Sequence, residues 1–268
     1  PEAADAATAN PGAGSPHSGD YAGGDRFVAG ASEAHGRCPW GGTLSELPGT
    51  RAAESAQLIA GATRMGVPLT EAQADKLLEY LDLLQKWNKA YNLTAVRERS
   101  AMLTQHLLDS LSIVPHLPPG DLLDVGSGGG LPGIPLAILQ PERSITLIDT
   151  VGKKVAFLKQ AAMTLGLKNV QAISTRIESW VPPEAHAGGF ALITARAYAT
   201  LATLVGQTRR LLAPNGGWYA MKGVHPAAEM AELPPDVSVN AVISLDVPDL
   251  GAERHLILLA PSGSGFQG

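Results

Sequence analysis

The stretch LLDVGSGGGLPGIP, residues 122–135, constrains what this chain can fold into more than any other. A short apolar run leads straight into a turn in which Gly126, Gly128 and Gly130 alternate, and Pro132 follows where a helix would begin. Glycine permits the sharp turn and lets a ligand approach the main chain. Proline in the first turn of a helix gives up only an N–H that has no partner there. Strand, glycine turn and helix together form the first unit of a nucleotide-binding α/β sheet. The loop alone leaves two ligands open: a dinucleotide with its pyrophosphate, or a cationic methyl donor.

The residues around the loop favour the second. A dinucleotide fingerprint read from Gly126 needs a small residue at position 131, where Leu131 stands. The shifted frame Gly128, Gly130, Gly133 has the spacing but starts two residues past the strand. Asp124, two residues before Gly126, is expected to face the centre of the ligand. A carboxylate there repels a pyrophosphate and attracts an ammonium or a sulfonium group, and S-adenosylmethionine carries both. The other reading of Asp124 is a buried acid that caps loop amides, and the two are compatible. Asp149 ends the second strand and would accept hydrogen bonds from the ribose hydroxyls of either cofactor. Its alternative role is a cap for the helix that follows.

Downstream of Asp121, short β-rich runs alternate with helical stretches. LLDV precedes a helix from Pro132, SITLID a helix from Gly152, then come VQAIS, FALITA with a helix near 200–212, and GWYAMKG. This rhythm predicts a Rossmann-like α/β fold with a mostly parallel sheet. VSVNAVISLDV and RHLILLA follow with no helical stretch between them and would form an antiparallel pair at one end. Upstream, Thr70 and Gln73 make a capping-box pattern before Leu77, Leu81 and Leu84. A second helix is predicted from Ser100 to Val114, with Leu103, Leu107 and Leu111 on one face. The expected domains are a disordered low-complexity tail over 1–52, a helical region over 53–119, the sheet domain over 120–262 and a flexible end over 263–268.

Composition sets the outer bounds. The chain has 268 residues and a net charge of −5. Residues 1–50 are rich in Gly, Ala, Ser and Pro and carry −4 of that charge, so the remainder is nearly neutral and has room for a basic face. No apolar run approaches the roughly 18–20 residues of a membrane span, and no secretory leader pattern is visible. A cytoplasmic monomer is expected. The single cysteine, Cys38, excludes a disulfide framework and a cysteine-rich metal site, and no metal is expected. The sequence opens on Pro1, so its start is left open.

Given a methyl donor, the residues narrow the acceptor. Carbon-5 methylation of a pyrimidine uses a cysteine nucleophile, and Cys38 lies in the tail. Methylation of the adenine amino group uses an Asn/Asp-Pro-Pro-aromatic loop after the fourth strand, where this chain reads TARAYATL. Arg196 occupies that place. A guanidinium stays protonated and is a poor base, but it pairs well with a guanine edge, a phosphate or the cofactor's carboxylate, so Arg196 is also a candidate cofactor contact. The acceptor atom should therefore need no deprotonation. Guanine N7 has a free in-plane lone pair, and positioning it would be the main task. The other reading of Arg196 is a surface ion pair.

KWNKAYNLTAV, HLLDSL, LLDVGSGGGLPGIPLAI, LIDTVGKKVAFLKQ, ITARAYATL, YAMKG and GAERHL occur in this order. As a set they resemble the ribosomal small-subunit guanine-N7 methyltransferase family, also called glucose-inhibited division protein B, over about residues 60–260. The resemblance implies a class I S-adenosylmethionine-dependent methyltransferase with a small N-terminal helical region. It implies methyl transfer to N7 of a guanine in the 530 loop of bacterial 16S rRNA, with the small ribosomal subunit as partner. Carried across, Gly126 and Leu131 contact the cofactor, Ile177 and Glu178 flank its adenine, and Arg196 reaches the site from the fourth strand. Ala195 stands where the family often has Ser.

Further matched residues have an RNA reading and a plain one. Asn88 and Asn92 would read base edges or bond locally at a helix end. His106 and Asp109, three apart, would pair with each other. Lys222, Arg254 and His255 are candidates for phosphate contacts, and Lys86, Lys89, Arg97 and Arg99 for a positive face. Trp87, Tyr91 and Trp218 are candidates for base stacking, with Trp87 better placed in the core. The rivals are a methyltransferase acting on a protein, a small molecule or another RNA, and a non-enzymatic or dehydrogenase-type binding module.

Overall fold

The computed structural model describes residues 48–264; residues 1–47 of the expected tail and 265–268 of the expected flexible end lie outside the described residues. Helix α1 spans Pro48–Arg64, so positions 48–52, read as tail from the sequence, are helical. Pro48 fits a first helical turn, and the Ala-rich run behind it favours helix. Leu58 and Ala62 anchor it in the core. Small residues let α1 lie close to its neighbours: a Cβ on Gly61 would meet Leu108 at 2.8 Å.

Helix α2, Glu71–Tyr91, opens on the predicted capping box, with Thr70 Oγ1 accepting from Gln73 N at 3.2 Å and Gln73 Oε1 accepting from Thr70 N at 3.0 Å. It buries Leu77, Leu78, Tyr80, Leu81 and Leu84 and ends at Asn92, whose left-handed φ of 49° stops the helix. Arg51 of α1 ties to Asp82 of α2 at 2.6 Å. The predicted helix over 100–114 is present but not uniform. It runs as α3, Arg99–Met102, a π-helical stretch Leu103–Leu108, α4, Asp109–Leu111, and a 3-10 turn Val114–His116. π-helical turns are rare and are frequently found at functional sites.

The strands are β1 Leu122–Val125, β2 Ile145–Asp149, β3 Val170–Ser174, β4 Phe190–Arg196, β5 Leu212–Lys222, β6 Val237–Ser244 and β7 His255–Pro261. They form one sheet in the order β3-β2-β1-β4-β5-β7-β6. Neighbours from β3 to β5 are parallel, whereas β7 is antiparallel to both β5 and β6. This is the mostly parallel sheet with an antiparallel end that the sequence predicts. Helices α5 Gly133–Leu139, α6 Gly152–Thr164, α7 Leu201–Thr208 and the short α8 Ala227–Ala231 complete the fold.

Alternate strand residues serve opposite faces. Leu122, Leu147 and Leu192 join Leu58, Leu81, Ile134 and Phe157 in one core, while Leu123, Val125, Ile148 and Ile193 pack with Leu204 of α7 in the other. Trp218 belongs to the second core, fully buried, with Nε1 donating to Thr208 Oγ1 at 2.8 Å. It is therefore not a stacking surface. The strand order reverses between β1 and β4, and such a switch point opens a crevice at the carboxyl ends of the strands. No helix among the described residues is long and apolar enough to cross a membrane.

Candidate functional site

The cleft at this switch point has two joined lobes, of about 450 and 230 Å³, which share Gly126, Lys154 and Ala197. The larger is walled by the glycine loop, Leu93, Thr94, Asp109, Arg196, Lys222 and Arg254. The smaller is walled by Val125, Ile148, Asp149, Thr150, Ile177 and Tyr198. Ligand pockets typically enclose about 300–1,000 Å³.

The loop conformation follows from its glycines. Gly126, Gly128 and Gly130 have φ of 69°, 57° and 90°, a region costly for residues with a Cβ. Their surroundings differ. A Cβ on Gly126 would overlap the ring of Tyr198. One on Gly128 would meet only the Gly126 carbonyl at 3.7 Å, so that face opens on the cleft. One on Gly130 would strike Ile134 and Leu158 at 2.6 and 2.9 Å. Gly130 thus serves close packing, a correction to its expected place among the cofactor contacts. Tyr80 of α2 donates to the Gly129 carbonyl at 2.5 Å and braces the loop from behind.

Asp124 also needs correction. It is fully buried and does not line the cleft. Its Oδ2 accepts from Gly133 N at 3.1 Å, at the start of α5. Its other oxygen has no hydrogen-bond partner among the described residues. Burial pushes its carboxyl up to about 7, against the smaller opposing pull of the Gly133 and Ser127 hydrogen bonds and of Arg196. β1 is covered on both faces, so an inward residue at its end sits under the loop. The amide-capping reading holds, and Asp124 does not face the ligand.

Asp149 bridges loop and helix. Oδ2 accepts from Gly128 N at 3.0 Å, Oδ1 from Val151 N at 2.8 Å, and Lys154 Nζ lies 3.6 Å from Oδ2. A carboxylate has about four lone-pair sites, so Asp149 keeps acceptor capacity toward the smaller lobe that it lines. Ile177 lines that lobe. Glu178 does not. It accepts from Gln207 Nε2 at 2.9 Å, and Gln207 Oε1 in turn accepts from Tyr198 Oη at 2.6 Å. Ile177 and Glu178 lie in one 3-10 turn, so only one of the two neighbours faces inward. Leu131 lines the larger lobe.

Arg196 leaves the end of β4, and the next residue, Ala197, has an unusual φ of 51°. Its Nη1 donates to the Gln105 carbonyl at 2.9 Å and to Asp109 Oδ2 at 2.8 Å. Arg254 Nε reaches Asp109 Oδ1 at 2.9 Å. Asp109 therefore pairs with two arginines and not with His106. His106 Nε2 meets Thr94 Oγ1 at 2.9 Å, and burial, aided by Arg196, lowers its pKa to about 4.

The remaining RNA candidates divide. Asn88 is buried, with Oδ1 accepting from Thr94 N at 2.9 Å, and holds the turn after α2. This excludes a base contact. Asn92 is exposed at the helix end and accepts from Arg97. Lys222 lines the cleft, but Nζ is engaged by Glu229 at 2.7 Å and the Ala199 carbonyl at 2.9 Å. His255 Nδ1 lies 3.1 Å from the Gly223 carbonyl. Arg99 is tied to Glu54 and Asp82. Trp87 packs on Phe157 with ring centres 5.6 Å apart, and Tyr91 remains 43% exposed beside it. Sequence reasoning missed Lys154, Gln105 and Gln207. Lys154 had a usable signal, since a strand-ending acid followed by a basic helix start brings the two together.

The residues fit S-adenosylmethionine. The open face at Gly128 is a cradle that a side chain would fill, Asp149 offers acceptors for a ribose, and Ile177 and Tyr198 give the smaller lobe apolar walls suited to an adenine.

The chain matches a family model described as rRNA small subunit methyltransferase G over residues 73–257. It is 50% identical over 203 residues to the ribosomal RNA small subunit methyltransferase G of Laribacter hongkongensis, covering 76% of this chain and 96% of that protein. The protein of the same description from Neisseria meningitidis serogroup A is 49% identical over 205 residues, covering 76% and 97%. A solved structure of a SAM dependent methyltransferase from Aquifex aeolicus aligns with a TM-score of 0.47 and 14% identity, covering 66% of this chain and 97% of that one.

Proposed function

This chain belongs to the rRNA small subunit methyltransferase G family, S-adenosylmethionine-dependent enzymes that methylate small-subunit ribosomal RNA, and we propose that it acts on N7 of a guanine in the 530 loop of bacterial 16S rRNA. Its sheet is that of a class I methyltransferase. The reading includes a monomer that works in the cytoplasm on small-subunit particles.

One observation carries the choice of acceptor atom: the larger lobe offers no free base. Among the described residues, Asp109 is the only carboxylate lining it, and two guanidiniums occupy that carboxylate. His106 is buried behind the wall on Thr94. An acceptor that must lose a proton would find no group to take it. Guanine N7 needs none.

Bound S-adenosylmethionine supplies an electrophilic methyl on a sulfonium centre. The chain's residues do the rest. Gly126, Gly128 and Leu131 shape the floor of the larger lobe, Asp149 holds the ribose, and Ile177 and Tyr198 enclose the adenine. Arg196 touches the incoming guanine and places its N7 in line with the methyl group, a positioning effect of the kind that yields large rate gains without proton transfer. Arg254, beside it, meets the nucleotide's phosphate. The basic lining, with Lys154, Arg196, Lys222 and Arg254, suits a polyanionic substrate better than a neutral small molecule.

Thermal unfolding tests the cofactor: S-adenosylmethionine should raise the melting temperature with concentration and NAD should not. Stabilisation by NAD alone would return the loop to the dinucleotide reading. Arg196→Ala should abolish methylation while leaving cofactor stabilisation in place. Full activity in that variant removes Arg196 from the site.

A further inference from the structure

Asp109 is clamped between two arginines that line the same cleft. The carboxylate is 2% exposed, and the two arginine side chains keep 20% and 24% of their surface. A single negative charge faces two positive ones, so the wall of the cleft retains a net positive charge. Without that charge the guanidiniums would repel each other and part.

Geometry at Arg196 decides what remains for the substrate. Both hydrogens of Nη1 are taken, one by Asp109 and one by the Gln105 carbonyl. That carbonyl is available because of the π-helical stretch. In an α-helix the Asp109 N–H would bond it, but here that N–H goes to the carbonyls of Thr104 and His106. The irregular turn therefore supplies both groups that grip Arg196. Arg196 Nε and Nη2 make no hydrogen bond to any described residue, and Arg254 uses only Nε and Nη1, on Asp109 and the Glu253 carbonyl.

We infer that Asp109 is the positioning residue of the methyl-transfer site. One carboxylate fixes two guanidiniums side by side, so that the Nε–Nη2 edge of Arg196 meets the guanine carbonyl O6 while Arg254 Nη2 meets a phosphate. This rests on the function proposed above and assigns the organising group to the helical region that precedes the sheet. Asp109 touches neither reactant and acts through the arginines.

Substitution to asparagine separates positioning from bulk. An amide has one acceptor oxygen and turns N–H donors toward the second arginine, so it can satisfy only one of the pair. Asp109→Asn should lower kcat on unmethylated small-subunit particles by about a hundredfold, the scale of a misplacement near 1 Å, with cofactor affinity changed less than about threefold. Adding Arg254→Met frees the amide oxygen for Arg196, and the double variant should recover kcat at least about tenfold over the single. A purely structural role for Asp109 gives no such recovery. Wild-type kcat in Asp109→Asn, or a double variant no better than the single, overturns the inference. The unsubstituted protein gives a test independent of variant folding. By NMR, the Nε–H of Arg254 should exchange with solvent at least about tenfold more slowly than that of exposed Arg64. Equal exchange overturns the clamp, whereas failure of the wild-type protein to methylate particles overturns the functional reading instead.

Discussion

Tyr80 and Gly129, 49 positions apart, are joined by a hydrogen bond of 2.5 Å that ties helix α2 to the carbonyl side of the glycine loop. Tyr80 is fully buried, and burial drives its hydroxyl pKa well above the ordinary tyrosine value, so it stays a donor at every accessible pH. Leu84 of the same helix lies so close behind the loop that a Cβ on Gly129 would meet it at 3.0 Å. The helical region is thus the back wall of the glycine loop.

Tyr80→Phe keeps the ring against Phe157, whose centre is 6.4 Å away, and removes only the donor. An unsatisfied buried acceptor costs about 1–3 kcal/mol. The melting temperature should fall by several degrees and the affinity for S-adenosylmethionine several-fold, both read from titrated thermal unfolding. Loss of stability with unchanged affinity would show that the brace does not reach the loop's ligand face.

Gly126→Ala combines a left-handed φ with a clash on Tyr198. Gly166→Ala shares the φ, at 65°, but its Cβ would meet nothing within 4 Å. Both variants should pay the backbone strain of roughly 1–2 kcal/mol. Only Gly126→Ala should weaken cofactor binding, by about tenfold or more in calorimetry. Equal affinities for the two variants would mean that Tyr198 does not shape the adenine lobe.

How much of this the sequence announces depends on where each constraint lies. The sheet was legible, because short β-rich runs that alternate with helical stretches, closed by two runs with no helix between them, leave few arrangements open. The place of Gly126, Gly128, Leu131 and Asp149 on the cleft was legible too, since it comes from strand ends and a turn that local sequence defines. Asp124 and Gly130 were misplaced because an acid or glycine beside a loop looks the same whether it faces a ligand or the core. The partnership of Asp109 with Arg196 and Arg254 was illegible. It spans 87 and 145 positions and depends on a π-helical stretch that periodicity does not reveal. Helix α1 was cut short because small residues suit a close-packed helix as well as a tail.

Two buried groups give stability opposite dependences on pH. Asp124 has its folded pKa raised to about 7 from 3.8, so its contribution is full below the unfolded value and is lost as pH rises toward 7. His106 has its folded pKa lowered to about 4 from 6.5, so its contribution is full above 6.5 and is lost as pH falls toward 4. The two offset each other between pH 4 and 6.5. In denaturant unfolding, Asp124→Asn should leave a stability that climbs across this window, and His106→Gln one that declines. Parallel curves for the two variants would rule this out.

Salt dependence separates the cleft cations. Among the described residues Arg254 Nη2 has no partner, whereas the Lys222 ammonium is already neutralised by Glu229 at 2.7 Å. Arg254→Met should reduce the slope of log affinity for rRNA against log salt by about one. Lys222→Met should change it by clearly less. The reverse order would place the phosphate contact on Lys222.

The most direct test of the account is to locate the methyl group. Small-subunit particles isolated without the modification are incubated with the protein and labelled S-adenosylmethionine, and the labelled nucleotide is mapped in 16S rRNA. One product is expected, N7-methylguanine within the 530 loop, as the proposed function requires. Label on a different base or ring position, or in ribosomal protein and not in RNA, contradicts it.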